Sequence, residues 1–190
     1  QIFLLLVLVA SWLLMLDEVQ TGNGRTGSWF AYQNMGFEPD VVTTAKGLGN
    51  GVPIGACLAR GQAAQLFHPG HHGSTYGGNP LVSSAALAVM DAIDRKEMYA
   101  HVTRMGALIR EVMERELAAS GRLTEIRGRG LMLGFQLDRD CPELVKLALD
   151  DGLLINVTAG NTVRLLPPLN ITEAQATELA EGVAHLILGL

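Results

Sequence analysis

Between residues 13 and 90, short apolar runs end at polar or glycine-rich turns: LLMLDEV, then DVVTTAKGLGNG, then VPIGACLAR. Runs of this length, rich in Val, Ile and Leu, suit strands buried on both faces, as in a parallel or mixed sheet covered by helices. The pattern predicts an α/β layer architecture, with a buried strand at residues 13–16 leading into Asp17. Asn79 and Pro80 then read as an N-cap and first helical residue, ahead of the helix-forming stretch SSAALAVMDAID. A second helix is predicted over residues 96–119. Met98, Val102, Met105, Ile109, Val112 and Met113 fall on one helical stripe there, and Gly121 follows it.

Beyond Gly121 the texture changes to an α+β pattern. One strand is expected within residues 126–137, where LMLGFQL lies, a helix over 143–150, and further strands over 153–157 and 162–166. Thr172 with Gln175 forms a capping box for a closing helix whose apolar positions include Leu179, Val183, Leu186 and Ile187. A domain boundary is expected within residues 95–120, the long helix acting as a bridge. This divides the chain into an apolar segment (1–16), part of a larger domain (17–100) and a small domain (101–190).

Composition supports a packed core. The 190 residues are 48% apolar and 17% charged, as in a globular chain. A formal charge of -5 and the absence of any Lys or Arg run leave no basic field for nucleic acid. Cys57 and Cys141 lie far apart without metal-type spacing, so both are expected to be small buried residues in a reducing compartment. Residues 1–16 carry no charge, and only Gln1 and Ser11 are polar. A spanning helix needs about 20 apolar residues and a signal peptide needs a basic start, so a fragment boundary or a damaged upstream frame is the expectation here.

The strongest chemical signal is DEVQTGNGRTG at residues 17–27, with Lys46 in TTAKGLGNG 29 residues after Asp17. In open α/β sheets ligands gather at the carboxyl ends of strands, and both residues follow strand-like runs. A lysine among small residues after a buried strand can have its pKa lowered by desolvation and nearby positive charge, as a Schiff-base amine requires. An aspartate beside it can keep a pyridinium nitrogen protonated. On spacing alone, an Asp capping a turn and a solvated Lys in a loop are the more common explanation, because strand-end charged residues are frequent.

Four separated strings add specificity: LLMLDEVQTGNGRTG, PDVVTTAKGLGNGVPIGA, HHGSTYGGNPL and GNTVRLLPPLNIT. Their content and order resemble the class III aminotransferases, and among them the acetylornithine aminotransferases, from about residue 13 to the end. The resemblance implies the aspartate-aminotransferase fold (pyridoxal-phosphate fold type I), here a large-domain portion plus a small α+β carboxy-terminal domain, working as a homodimer. It implies pyridoxal 5'-phosphate as cofactor, with Lys46 as the catalytic Schiff-base residue and Asp17 on the pyridine nitrogen. Val19 would pack on a ring face and Gln20 would bond the phenolic oxygen. Thr75, with Ser74 nearby, would reach the cofactor phosphate of the other subunit, and Arg164 would grip a substrate carboxylate as a bidentate fork.

The activity implied is transfer of an ω-amino group, from N-acetylornithine to 2-oxoglutarate in arginine biosynthesis, in the cytoplasm. Ornithine, succinylornithine, succinyldiaminopimelate and 4-aminobutyrate are alternative donors or related substrates. Family members are longer, and the segment preceding these motifs supplies the phosphate loop, the stacking aromatic and an acid upstream of Asp17. A non-catalytic fragment is therefore a competing expectation. A nicotinamide-dependent dehydrogenase is the remaining rival, since GNGRTG fits GxGxxG, but Glu38 precedes the next apolar run where the ribose-binding acid should close it. His68, His71 and His72 lie in a loop without an adjacent acid or cysteine, so no metal site is expected. Arg127 and Arg129 in RGRGLMLG read as a turn with surface ion pairs.

Overall fold

The computed structural model describes residues 12–95 and 97–190. Most of the apolar opening segment, residues 1–11, and the expected helix start at Lys96 lie outside them. The chain divides into two compact units, one holding residues 12–24 and 28–95 of those described, the other holding 25–27 and 97–190. Three residues of the turn after the first strand thus belong to the second unit.

The first unit is built on β1 (Met15–Asp17), β2 (Val41–Thr44) and β3 (Ala56–Ala59). β1 runs parallel to β2, with Asp17 opposite Thr43, and β3 returns antiparallel with Cys57 opposite Thr43 on the other side. β2 is largely buried, as its run VVTT suggests. β1 and β3 are not: Met15 is 64% exposed and every residue of β3 is exposed. The expected burial on both faces, including the buried strand at 13–16, is therefore corrected to one inner strand flanked by two open ones. Apolar character in sequence marks surface made to be covered, and nothing among the described residues covers it. Cys57, carried on β3, is exposed for the same reason, while Cys141 is buried as expected. Helix α1 (Pro80–Arg95) begins where Asn79 and Pro80 predict, the Asn79 Oδ1 accepting from the amides of Leu81 (3.1 Å) and Val82 (3.3 Å).

The second unit is a four-stranded antiparallel sheet in the order β4-β5-β7-β6, formed by β4 (Leu123–Arg129), β5 (Met132–Leu137), β6 (Asn156–Thr158) and β7 (Thr162–Leu165). Alternation on β5 buries Leu133, Phe135 and Leu137 on one face. Against this sheet lie α2 (Met98–Leu117), α3 (Leu144–Asp150) and α4 (Glu173–Leu188), with α2 packed on α4 and β4, and α3 on α4 and β6. The predicted stripe on α2 is buried at Val102, Ile109, Val112 and Met113. Thr172 and Gln175 form the predicted capping box.

Two elements differ from expectation. The single strand expected within residues 126–137 is a hairpin, in which Arg129 pairs with Met132 around Gly130 and Leu131. β4 was invisible because its residues are mostly exposed, leaving no apolar alternation to read. Gly106 on α2 lets this turn approach the helix closely: a Cβ there would come within 2.1 Å of the Gly130 carbonyl oxygen. Among the described residues, no helix is long and apolar enough to cross a membrane.

Candidate functional site

Parallel pairing of β1 and β2 decides where the two charged candidates fall. Asp17 closes β1, and β2 ends at Thr44, two residues before Lys46. Both therefore emerge at the carboxyl ends of adjacent parallel strands, the edge where α/β sheets bind ligands. The Glu18 amide bonds the Thr43 carbonyl at 2.9 Å and extends this register by one residue. Asp17 Oδ1 accepts from the Val19 amide at 2.9 Å, which turns the chain away from the strand.

Lys46 opens a short 3-10 turn (Lys46–Leu48) with a left-handed backbone, φ 47°. Residues with a Cβ adopt this conformation at a cost of about 1–2 kcal/mol, so it persists only where neighbours hold it. Lys46 is exposed and borders an open depression of about 460 Å³ lined by Gly47, Asn50, Gly51, Val52, Pro53 and Ile54. The desolvation expected around its amine is not supplied by the described residues. That is a correction to the sequence expectation, and its cause is the same uncovered sheet surface.

Val19 and Gln20 are half-buried in the turn after β1. Ser74 and Thr75 are exposed in the loop before α1, where Ser74 Oγ accepts from the Gly77 amide at 3.0 Å. Arg164 is half-buried on β7 of the second unit, between Gly134 on β5 and Asn156 on β6. Asp17, Val19, Gln20, Lys46, Ser74 and Thr75 all belong to the first unit.

Two buried polar residues carry the turn that presents Asp17, and neither stood out in sequence. Glu18 is only 3% exposed. Its carboxylate accepts from the amides of Ala31 (3.1 Å) and Tyr32 (3.0 Å) and from the Thr21 hydroxyl, tying the turn to the 3-10 helix Ala31–Asn34. Asn23, also 3% exposed, donates from Nδ2 to Thr44 Oγ1 at 3.1 Å and to the Ala45 carbonyl at 3.0 Å. The only local hints were their place inside DEVQTGN and the nearby Thr21, because the other partners lie 13 to 22 residues along the chain.

The glycines of GNGRTG serve this turn. A Cβ on Gly22 would sit 2.8 Å from the Glu18 carbonyl oxygen, and Gly24 and Gly27 have φ of 83° and 88°. Glu38, the acid a dinucleotide site would need, is paired with Arg60 at the surface. His68 and His71 meet edge to face with ring centroids 5.4 Å apart. Among the described residues, no three His, Cys, Asp or Glu side chains gather as a metal site. Arg127 pairs with Glu125 at 3.2 Å, as a surface residue would.

Arg25 is structural. Its guanidinium donates to the carbonyls of Leu131 and Pro167, and burial pushes its pKa below the ordinary arginine value.

An acetylornithine aminotransferase of Bordetella bronchiseptica is 52% identical over 176 residues, which are 93% of this chain and 45% of that protein. One from Aquifex aeolicus is 52% identical with the same coverage. Among solved structures, the acetylornithine aminotransferase of Elizabethkingia anophelis superposes with a TM-score of 0.88 at 33% identity, covering 97% of this chain and 48% of the other. The ornithine aminotransferase of Toxoplasma gondii gives 0.90 at 33% identity, covering 97% and 45%. The chain thus spans a little under half the length of these relatives, with the fold of the pyridoxal-phosphate fold type I aminotransferases. The family model for class III aminotransferases matches residues 9–187, and the chain belongs to that family.

Proposed function

We propose that the chain supplies the lysine-bearing half of a pyridoxal-phosphate-dependent ω-aminotransferase site, with N-acetylornithine as amino donor and 2-oxoglutarate as acceptor. The observation that carries this reading is the exit of Asp17 and Lys46 at the carboxyl ends of two adjacent parallel strands. A carboxylate and an amine on one sheet edge suit a cofactor with a ring nitrogen and an aldehyde. The names of the relatives support the choice of donor.

In this reading Asp17 holds the ring nitrogen protonated, Val19 packs against the ring, and Gln20 bonds its phenolic oxygen. Ser74 and Thr75 bind the phosphate held by a second copy of the chain, so the active assembly is a homodimer. Arg164 grips the carboxylate of the amino acid through two parallel hydrogen bonds. Lys46 Nζ would hold the cofactor covalently and, once displaced by the incoming amine, would be free to act as the base and acid that moves a proton at the substrate carbon. When bound, pyridoxal phosphate withdraws electrons from that carbon and carries the amino group from donor to acceptor. The physiological setting is arginine biosynthesis in the cytoplasm.

The open setting of Lys46 favours a second reading for the chain by itself: it binds the cofactor loosely and turns over little. Misplaced reacting groups lose most of the advantage of a site. The chain has three lysines, Lys46, Lys96 and Lys146. Incubation with pyridoxal phosphate, borohydride reduction and peptide mapping should place the adduct on Lys46. Equal labelling of all three would remove the basis for the cofactor site. Brisk turnover of N-acetylornithine with 2-oxoglutarate would overturn the second reading.

A further inference from the structure

Asn23 touches the backbone on both sides of Lys46. Its Nδ2 donates to the Ala45 carbonyl at 3.0 Å and to Thr44 Oγ1 at 3.1 Å, and the Thr44 hydroxyl lies 3.3 Å from Asn23 Oδ1. On the far side its side chain lies against Gly47, where an added Cβ would come within 3.3 Å of Asn23 Cβ. Asn23 is buried and has φ 56°, a left-handed conformation that asparagine tolerates better than most residues. Lys46 is left-handed too, at φ 47°, and a lysine gains nothing intrinsic from that conformation. The peptide between residues 45 and 46 is thus pinned through its carbonyl, immediately before the residue whose backbone is strained.

We propose that Asn23 is a positioning residue for Lys46, fixing the direction in which the amine leaves the end of β2. The inference rests on the reading of Lys46 as the cofactor-linking lysine. It goes further by assigning the strained approach to a side chain in a different strand-end turn. A carboxamide is suited to the task because it donates to the Ala45 carbonyl and can also accept from the Thr44 hydroxyl. A carboxylate keeps the shape and the acceptor but loses the donor. An aliphatic side chain loses both and leaves buried partners unsatisfied. Asn23 bonds the Ala45 carbonyl and the Thr44 hydroxyl, so its effect would reach chemistry through where Lys46 points.

The test uses the full chain with pyridoxal phosphate, borohydride trapping and peptide mapping, reading the ratio of adduct on Lys46 to adduct on Lys146. Asn23→Asp is the primary variant, with Asn23→Leu and Thr44→Val beside it, each checked for folding by circular dichroism. Asn23→Asp is expected to lower the ratio about fivefold at neutral pH, the scale of one lost hydrogen bond. The ratio should recover relative to wild type as pH falls toward about 5, where a buried carboxyl takes up a proton and regains a donor. Loosening of the fold by a buried carboxylate would also ease as pH falls, so circular dichroism is recorded at each pH and only the ratio from folded samples is compared. Thr44→Val keeps the bond to Ala45 and is expected to lower the ratio less.

An Asn23→Asp ratio equal to wild type at every pH overturns the proposal, as does a folded Asn23→Leu chain of unchanged ratio. A wild-type chain that does not prefer Lys46 defeats the cofactor reading instead, whatever the variants do.

Discussion

Arg25 and Leu131 hold each other by two hydrogen bonds of opposite sense: the Leu131 amide donates to the Arg25 carbonyl at 3.1 Å, and the Arg25 guanidinium donates back to the Leu131 carbonyl at 3.2 Å. The same guanidinium bonds the carbonyl of Pro167, three residues after Arg164. One side chain therefore joins the β4-β5 turn to the segment leaving β7. Arg25→Met keeps an apolar stem and removes every side-chain donor. It is expected to cost about 2 kcal/mol, the range for hydrogen bonds from a charged group, seen as a lower urea midpoint. An unchanged midpoint would show that the clamp contributes nothing.

A second expectation concerns the crossing of backbones beside that clamp. A Cβ at Gly106 would lie 2.1 Å from the Gly130 carbonyl oxygen, with no flexible side chain to move aside. Gly106→Ala should cost about 2–3 kcal/mol even though alanine is the better helix former. Gly121→Ala is the useful comparison. Its φ is 68° but nothing lies within 4 Å of its added Cβ, so only the left-handed conformation counts against it, about 1 kcal/mol. Thermal or urea unfolding of the two variants should rank them in that order.

The cysteines should titrate as two separate populations. Cys57 is exposed on β3 and should react with a thiol reagent at once, while Cys141 should react only as the chain unfolds. Burial, with the neighbouring Glu143 carboxylate, pushes the Cys141 thiol above its ordinary pKa. In the unfolded chain this thiol ionises first, so its contribution costs stability as pH rises above about 8.5, by at most ~1.4 kcal/mol per pH unit. Below that pH both states keep the proton and nothing changes. Cys141→Ala should flatten the alkaline decline in the urea midpoint; an identical decline in the variant would count against the thiol as its source.

Features fixed by near neighbours were the ones legible in sequence. The capping box of Thr172 and Gln175 and the Asn79-Pro80 helix start need only three or four residues of context. The common sheet edge of Asp17 and Lys46 was legible because each follows an apolar run read as a strand, and parallel pairing brings the two strand ends together. Glu18 and Asn23 were not, since their roles depend on Tyr32 and Thr44, 14 and 21 residues away. The exposure of Met15, Cys57 and Lys46 was also out of reach. Apolar composition says that a surface is made for burial, whereas actual burial depends on what is present to lie against it.

The loan of residues 25–27 to the second unit has a practical side. Cleaving the chain at residue 96, the apparent seam, would not release an intact carboxy-terminal piece. The excised piece would carry the Leu131 amide and the Leu131 and Pro167 carbonyls but not the arginine that satisfies them. A faithful dissection of the second unit would have to carry residues 25–27, its short borrowed stitch, along with it.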